Sequence, residues 1–591
     1  MVLDQLSKED RLYRMRHSAA HIMAEAVLEM FPEAQFAIGP PIDNGFYYDF
    51  LLPRALTPED LPAIEKAMRA RMKSDVPFER SEMSKAEALA HFAGQPFKVE
   101  LIEGIADEKV SLYKQGAFVD LCEGPHVERT SHVPPFKLVN VAGAYWRGDE
   151  KRPMLQRIYG LMFETQDELD GYMARMEEAA KRDHRKLGRE LELFASEELV
   201  GAGLPLWLPK GATVRRLLEE YILKQERDAG YEHVYTPVLG KVELYKTSGH
   251  WEHYKDFMFP PMQLEHEEMV LRPMNCPHHM LVYKNKLRSY RELPLRLAEL
   301  GTQFRYEKSG VAGGLSRVRA MTLNDAHIFC RPDQIKAEFA GVMRLVERAY
   351  ATLGITDYTY RLSLRDPADK EKYVQNDAMW EMGERILRET MQELDLPFYE
   401  APGEAAFYGP KIDIQIFDWA RREETLSTVQ IDFHLPEQFG LEYVDEDSAR
   451  QRPVIIHRGV ISTMERMMAY LIELYGGAFP AWLAPVQAMV IPIADRHLDY
   501  GHEVLGELKS AGLRAEVDAR SERMNNKIRA AQLQKIPYML VVGDREAEAK
   551  AVAVRTRAGE DLGSMPVFQF IDRLRDEVAT SMDPEQAGPD L

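Results

Sequence analysis

The chain has 591 residues, 45% hydrophobic and 29% charged, with a net charge of −20. This describes a globular protein with ample core, and a prior of roughly 150 residues per domain suggests about four units. No apolar run approaches the roughly 20 residues that span a bilayer, which speaks against a membrane protein.

The N-terminal MVLDQLSKEDRLYRMRHSAAH lacks the apolar core and small-residue cleavage site of an export signal. Three cysteines, Cys122, Cys276 and Cys330, form no disulfide framework and fit a reducing, cytoplasmic location. The acidic balance leaves a nucleic-acid partner open, because a local basic face binds RNA on an acidic protein.

In chain order, the first stretch mixes helix and strand. Ala19, Ile22, Met23, Val27 and Met30 recur at helical spacing, and GFYYDFLL reads as a strand. His17 and His21 stand four apart on one helix face, and DLCEGPH brings Cys122 and His126. H-x3-H with C-x3-H has ligand-like spacing, so a zinc site, a metal-free hydrolytic site and ordinary core residues are all open readings. The charged segment QDELDGYMARMEEAAKRDHRKLGRELELF, with apolar Leu169, Tyr172 and Met176, reads as a solvated connecting helix, most basic over 181–189.

Beyond it, TVRRLLEEYILKQERDAG predicts a helix stopped by Gly230, followed by a strand in YEHVYTPVLG. The segment 304–330, FRYEKSGVAGGLSRVRAMTLNDAHIFC, suits a strand-loop-strand, and MERMMAYLIELYGG reads as a helix. After the break at Ala484-Pro485 the pattern becomes strand, helix, strand, helix, strand, which predicts a small α/β domain with a largely parallel sheet.

The three central segments resemble the class II aminoacyl-tRNA synthetases. The helix and strand ending at Pro237 resemble that family's dimer-forming motif. Arg305, followed by Glu307 and by Arg317, resembles its ATP-gripping loop, and Arg466 its terminal-phosphate arginine. A guanidinium fork suits the α-phosphate and neutralises charge as a carboxylate attacks. Read singly, RYE and MER are ordinary surface ion pairs; in this order and spacing they favour the synthetase reading.

RPMNCPHHM, LNDAHIFC, AFYGPKIDIQI, TVQIDFHLP and VIIHRG are similar to the threonyl branch, along nearly the whole chain. That resemblance implies one zinc ion per chain on Cys276, His327 and His457, a ligand set that no local spacing reveals. It implies a threonine pocket with Asp325, Tyr408 and Gln430, and ATP or adenylate contacts at Arg317 and Lys411. ATP with Mg2+, L-threonine and tRNA(Thr) are the implied partners, and a homodimer the implied assembly.

The N-terminal stretch resembles the editing domain shared by threonyl and alanyl enzymes. The resemblance places metal-free hydrolysis ahead of zinc there, with Lys98 and Asp120 assisting His17, His21, Cys122 and His126. The C-terminal unit resembles an anticodon-binding domain in which Glu546 and Arg555 read splayed bases.

The expected architecture is therefore α/β and α+β multidomain. It comprises an editing domain over 1–163, a charged linker helix over 164–194, an antiparallel-sheet class II catalytic domain over 195–483 and an α/β anticodon-binding domain over 484–591. The family usually carries a small ubiquitin-like domain first, and this chain begins without it. Leu323-Asn324 stand where many members have Gln-Asp, Gly313 where many have His, His278 where glycine is common, and Glu123 where arginine is common. A regulator that had lost ligation would show erosion of Arg305, Arg466 or Cys276, and all three are present.

Overall fold

The structure is a computed structural model describing residues 5–308, 313–419 and 421–582. Two compact units form, Met1–Glu177 and Glu178–Leu591.

The first unit is built on the helix Lys8–Met30. Ser7 caps it by accepting from the Asp10 amide, and Glu9 and Asp10 lie at the positive end of its dipole. Ala19, Ile22, Met23 and Val27 are fully buried, whereas Met30 at the frayed end is exposed. The helix packs on an antiparallel sheet in the order Gln35–Phe36, Gly45–Leu51, Met154–Met162, Phe136–Tyr145, with Pro41–Ile42 added to Gly45–Leu51. The strand expected in GFYYDFLL is Gly45–Leu51. A second antiparallel sheet, Glu79–Ser84, Lys109–Gln115 and Phe118–Leu121, carries the Asp120 and Cys122 segment.

The charged connection is two helices, Gln166–Arg182 and His184–Glu190. They break at Asp183, whose side chain accepts from the Arg185 amide. The second is not simply solvated, since His184, Leu187 and Gly188 are buried.

The second unit is centred on eight strands: Glu232–His233, Leu295–Phe304, Ala320–Cys330, Val454–Gly459, Glu423–Asp432, Lys411–Phe417, Tyr358–Leu364 and Phe398–Pro402. All neighbours run antiparallel except the two edge pairs. Helices Pro209–Asp228, Ile335–Thr352 and Met464–Tyr475 contribute to its main hydrophobic core. The strand expected over YEHVYTPVLG is much shorter. Pairing ends after Val234, whose amide reaches Ala298 O; the Thr236 amide turns to the Glu299 carboxylate, and Pro237 has no amide to donate.

The C-terminal sheet runs Ala515–Val517, Ala488–Pro492, Tyr538–Val542, Ala551–Thr556, Asp561–Pro566. The first three strands are parallel, as the alternating pattern predicts, and the last two are antiparallel. The six-residue helix Asp544–Ala549 and the tight turn after Thr556 are too short for the crossover that a parallel strand needs.

Arg458, fully buried on the strand carrying His457, lies 2.7 Å from Glu226 on the helix Pro209–Asp228. Glu226 also accepts from Asn324 and pairs with His233. Glu226→Ala strands this guanidinium without its carboxylate. We expect a loss of about 3–5 kcal/mol from the second unit's unfolding free energy; a denaturant midpoint equal to wild type would refute the pair's role.

Candidate active site

Sheet register decides which distant residues meet. Leu297 pairs with His327, His327 with His457, His457 with Gln430, and Gln430 with Lys411. Directly paired residues project to the same face, so this rung gathers side chains up to 160 positions apart in sequence. Cys276 reaches the rung from the first turn of the helix Cys276–Lys284. The ligand atoms of Cys276, His327 and His457 lie within 4.8 Å of one another, and all three residues are buried.

Proton positions on these groups can be worked out. Asp432, fully buried, accepts from the His434 and Leu435 amides and lies 2.8 Å from His457 Nε2. A carboxylate so engaged accepts, hence His457 carries its proton on Nε2 and leaves Nδ1 bare. His327 Nδ1 is 2.8 Å from His279 Nδ1, while its buried Nε2 has no partner among the described residues. One thiol and two imidazole lone pairs thus converge, and a buried orphan nitrogen is unexplained unless a ligand meets it. The donor set fits a three-ligand zinc site with an open position. Burial, and then the neighbouring Asp325 and Asp432, push the Cys276 thiol well above its ordinary pKa, the reverse of what a bound cation does.

A cleft of about 750 Å³ opens beside the rung. Cys276, Asp325, Tyr408, Gln430 and His457 line one part; Arg305, Glu307, Arg317 and Arg466 line another. Burial pushes the Asp325 carboxyl up and the Tyr408 phenol well up. Gln430 Nε2 donates to Gly409 O at 3.2 Å, which turns its carbonyl elsewhere. Arg317 is tethered to Glu307 at 2.9 Å. Burial lowers the Arg466 pKa, and the charges of Arg305 and Arg317 lower it further. Three guanidiniums this close make a receptor for an anion. Lys411 lies on the rung but outside the cleft lining, its Nζ 2.6 Å from the buried Asp413. Of the loop joining the strands Leu295–Phe304 and Ala320–Cys330, 309–312 lie outside the described residues.

In the first unit, His17, His21, Cys122 and His126 also place their ligand atoms within 4.8 Å of one another. Cys122 Sγ is 3.3 Å from His17 Nε2 and 3.2 Å from His126 Nε2. His17 Nδ1 faces Pro125 O, and His126 Nδ1 faces the Ser18 hydroxyl, whose own proton goes to Arg14 O. His21 Nε2 lies 3.5 Å from Asp120, which also holds Lys98 at 2.5 Å and accepts from the Tyr48 hydroxyl at 2.6 Å. Burial drives the Cys122 pKa to about 12, so the thiol keeps its proton. Glu123 beside it is exposed.

At the C-terminal unit, Glu546 is 7% exposed and its carboxylate accepts from the Gly543 amide. Arg555 is more open and lies 3.2 Å from Asp561. No described hydrogen bond joins the two.

Sequence reasoning passed over His279, Glu299 and Arg272, a buried chain behind the rung. The doubled histidine of CPHHM was its one visible signal. It also passed over Gln303, a buried amide lining the cleft with neither polar atom partnered among the described residues.

Three family patterns match the chain. These are the tRNA synthetase class II core domain (G, H, P, S and T) over 257–475, an anticodon binding domain over 487–577, and the threonyl and alanyl tRNA synthetase second additional domain over 110–159. The chain is 57% identical over 568 residues to a threonine–tRNA ligase of Anoxybacillus flavithermus, covering 95% of this chain and 88% of that one. It is 56% identical over 569 residues to threonine–tRNA ligase 1 of Bacillus subtilis, covering 96% and 88%. Among solved structures, the RNA binding domain of threonyl-tRNA synthetase from Cryptosporidium parvum is similar at 36% identity and a TM-score of 0.64, over 67% of this chain and 98% of that one. Giardia lamblia prolyl-tRNA synthetase shares the fold at 18% identity and a TM-score of 0.54, over 69% and 81%. No described helix is long and apolar enough to cross a membrane.

Burial lowers the pKa of His17, and lowers those of His21 and His126 well below the ordinary value. The unfolded chain takes up these protons near pH 6.5, where the folded cluster does not. Stability therefore falls as pH drops below about 6.5, by up to about 1.4 kcal/mol per pH unit for each imidazole. The first unit's unfolding transition should weaken between pH 6.5 and 5, with a shallower slope in His21→Asn. Identical slopes in the two proteins would contradict a neutral cluster.

Proposed function

The chain belongs to the threonine–tRNA ligase family of class II aminoacyl-tRNA synthetases, and we propose how its two sites divide the work of charging tRNA(Thr) accurately. The catalytic domain, over 195–483, makes threonyl-adenylate from L-threonine and ATP with Mg2+. The threonine carboxylate is already ionised, so it attacks the α-phosphorus without a general base and pyrophosphate leaves. A ribose hydroxyl at the tRNA 3′ end then takes the threonyl group and AMP departs.

Arg305 holds the α-phosphate, and Arg466 and Arg317 the terminal phosphates, with Glu307 fixing Arg317. Lys411, braced by Asp413, adds positive charge near the adenylate. Positioning and preorganised charge supply most of the acceleration. Asp325 accepts from the threonine hydroxyl, Tyr408 orients the amino end and Gln430 closes the pocket.

An apolar pocket separates threonine from isosteric valine poorly, by about 100-fold. Cys276, His327 and His457 would hold a zinc ion, which when bound would offer positions for both the amino and hydroxyl groups of threonine, a pair that valine cannot complete. The observation carrying this reading is the buried Nε2 of His327, without a partner among the described residues, beside Cys276 and His457, which line the cleft together with Arg305, Arg317 and Arg466.

Serine has both polar groups and lacks only a methyl, worth about 1–3 kcal/mol. A second site must remove it. The editing domain, over 1–163, does so without metal: neutral His17, His21 and His126 position a water against the seryl ester beside Cys122, with Lys98 and Asp120 holding the charge balance. One observation favours a metal there instead. The contacts of His17 and His126 put their protons on Nδ1 and leave each Nε2 bare toward Cys122, and His21 Nδ1 is buried without a partner among the described residues. Zinc stoichiometry separates the readings, one per chain against two.

The two-helix linker, over 164–194, joins this domain to the core. The domain over 484–591 binds the anticodon, Glu546 and Arg555 contacting its bases. The working form is a cytoplasmic homodimer, joined through the segment ending at Pro237.

Cys276→Ala should lose its zinc and lower threonine-dependent pyrophosphate exchange more than about 100-fold; full activity without zinc would sink the selector. His17→Ala with His21→Ala should let seryl-tRNA(Thr) accumulate, and unchanged hydrolysis would place editing elsewhere.

A further inference from the structure

Behind the proposed zinc site runs a chain of buried polar groups. His327 Nδ1 meets His279 Nδ1 at 2.8 Å, and His279 Nε2 meets Glu299 Oε2 at 3.1 Å. Arg272 Nη2 donates to Glu299 Oε1 at 3.0 Å, and the Thr236 amide and hydroxyl donate to the same carboxylate at 3.2 and 2.7 Å. His279 and His327 are fully buried, Glu299 is 4% exposed and Arg272 1%.

The direction of each hydrogen bond follows from its ends. Glu299 faces a guanidinium, an amide proton and a hydroxyl, so it is an ionised carboxylate that only accepts. His279 must therefore carry a proton on Nε2. Nδ1 of His279 and Nδ1 of His327 meet each other, so one donates and the other accepts, and a proton on His327 Nε2 instead would be a buried donor with no acceptor among the described residues. Nδ1 of His279 is thus a lone pair, and His327 must donate to it from its own Nδ1. Nε2 of His327 is left bare, and it is the atom without a partner among the described residues.

We propose that His279 is a positioning residue that fixes the tautomer and ring orientation of His327, presenting its bare Nε2 to the metal. The inference rests on the zinc reading above. It gives the second histidine of CPHHM a role separate from the ligand Cys276, and it assigns Glu299 and Arg272 to the same relay. The segment at Thr236 is thereby tied to the metal ligand through side chains alone. His457 receives the matching service from Asp432, so each imidazole ligand has its own outer partner.

The test uses the full chain with its bound zinc, reading metal content, the rate of zinc transfer to a coloured chelator, and the visible absorption of the cobalt-substituted protein. Wild type should hold about one zinc at this site. His279→Leu removes the acceptor and should release zinc about 10–100-fold faster, with altered cobalt bands. Glu299→Gln keeps the shape but presents an amide donor to His279, reversing the relay, and should do the same. His279→Gln keeps one acceptor for His327 and one donor for Glu299, and should restore release to within a few-fold of wild type.

Wild-type release rates in folded His279→Leu and Glu299→Gln would overturn the inference. So would a Gln variant no better than Leu, because volume alone would then decide. If His279→Leu fails to fold, Glu299→Gln and His279→Gln decide between them. A wild-type protein without zinc would remove the zinc reading itself, and the inference with it.

Discussion

Cross-strand register in the eight-stranded sheet is the constraint on which the rest depends. Opposing residues share a face and stand roughly 5 Å apart, whereas a one-residue slip turns every side chain over. His327 opposite His457, and His457 opposite Gln430, is thus a property of two hydrogen-bonded ladders rather than of any local motif. The same register sets Asp325 opposite Glu299, two residues along each strand and on the same face as the rung of Leu297 and His327. Fixing that register occupies much of the core: Ala326, Ile328, Val429, Ile431 and Ile456 are buried on these strands.

The two histidine clusters are backed by different outer partners. Around Cys276, each imidazole is backed by an ionisable chain, Asp432 directly or Glu299 through His279, which suits ligands that must stay bare toward a cation. Around Cys122, two of the three imidazoles are backed by neutral oxygen, a carbonyl and a hydroxyl. The Asp120 carboxylate beside His21 is already shared with Lys98 and Tyr48. The proposed division of labour also follows from the substrates, since a site that tests for an amino and a hydroxyl group passes serine and leaves it to a second pocket.

Much of the architecture was legible because it is written in periodicity. The helix spacing from Ala19 to Val27, the stop at Gly230 and the βαβ alternation after Pro485 each report a local preference. The strand in YEHVYTPVLG was over-read, because Thr236 and Pro237 give up backbone pairing for a side-chain carboxylate that no local pattern announces. The antiparallel end of the C-terminal sheet was missed because strand direction is set by connection length rather than by strand composition. At the site, the arginines and ligands could be named only through family resemblance. His279, Glu299 and Arg272 went unnamed because a buried relay has no spacing of its own, and only coordinates reveal which nitrogen lacks a partner.

The measurement that bears most directly on this account is amino-acid-dependent pyrophosphate exchange by the unmodified protein with threonine, serine and valine, together with zinc analysis. The account predicts exchange with threonine, weaker exchange with serine, essentially none with valine, and about one zinc per chain. Exchange with valine comparable to that with serine, or full threonine exchange in zinc-free protein, would contradict it.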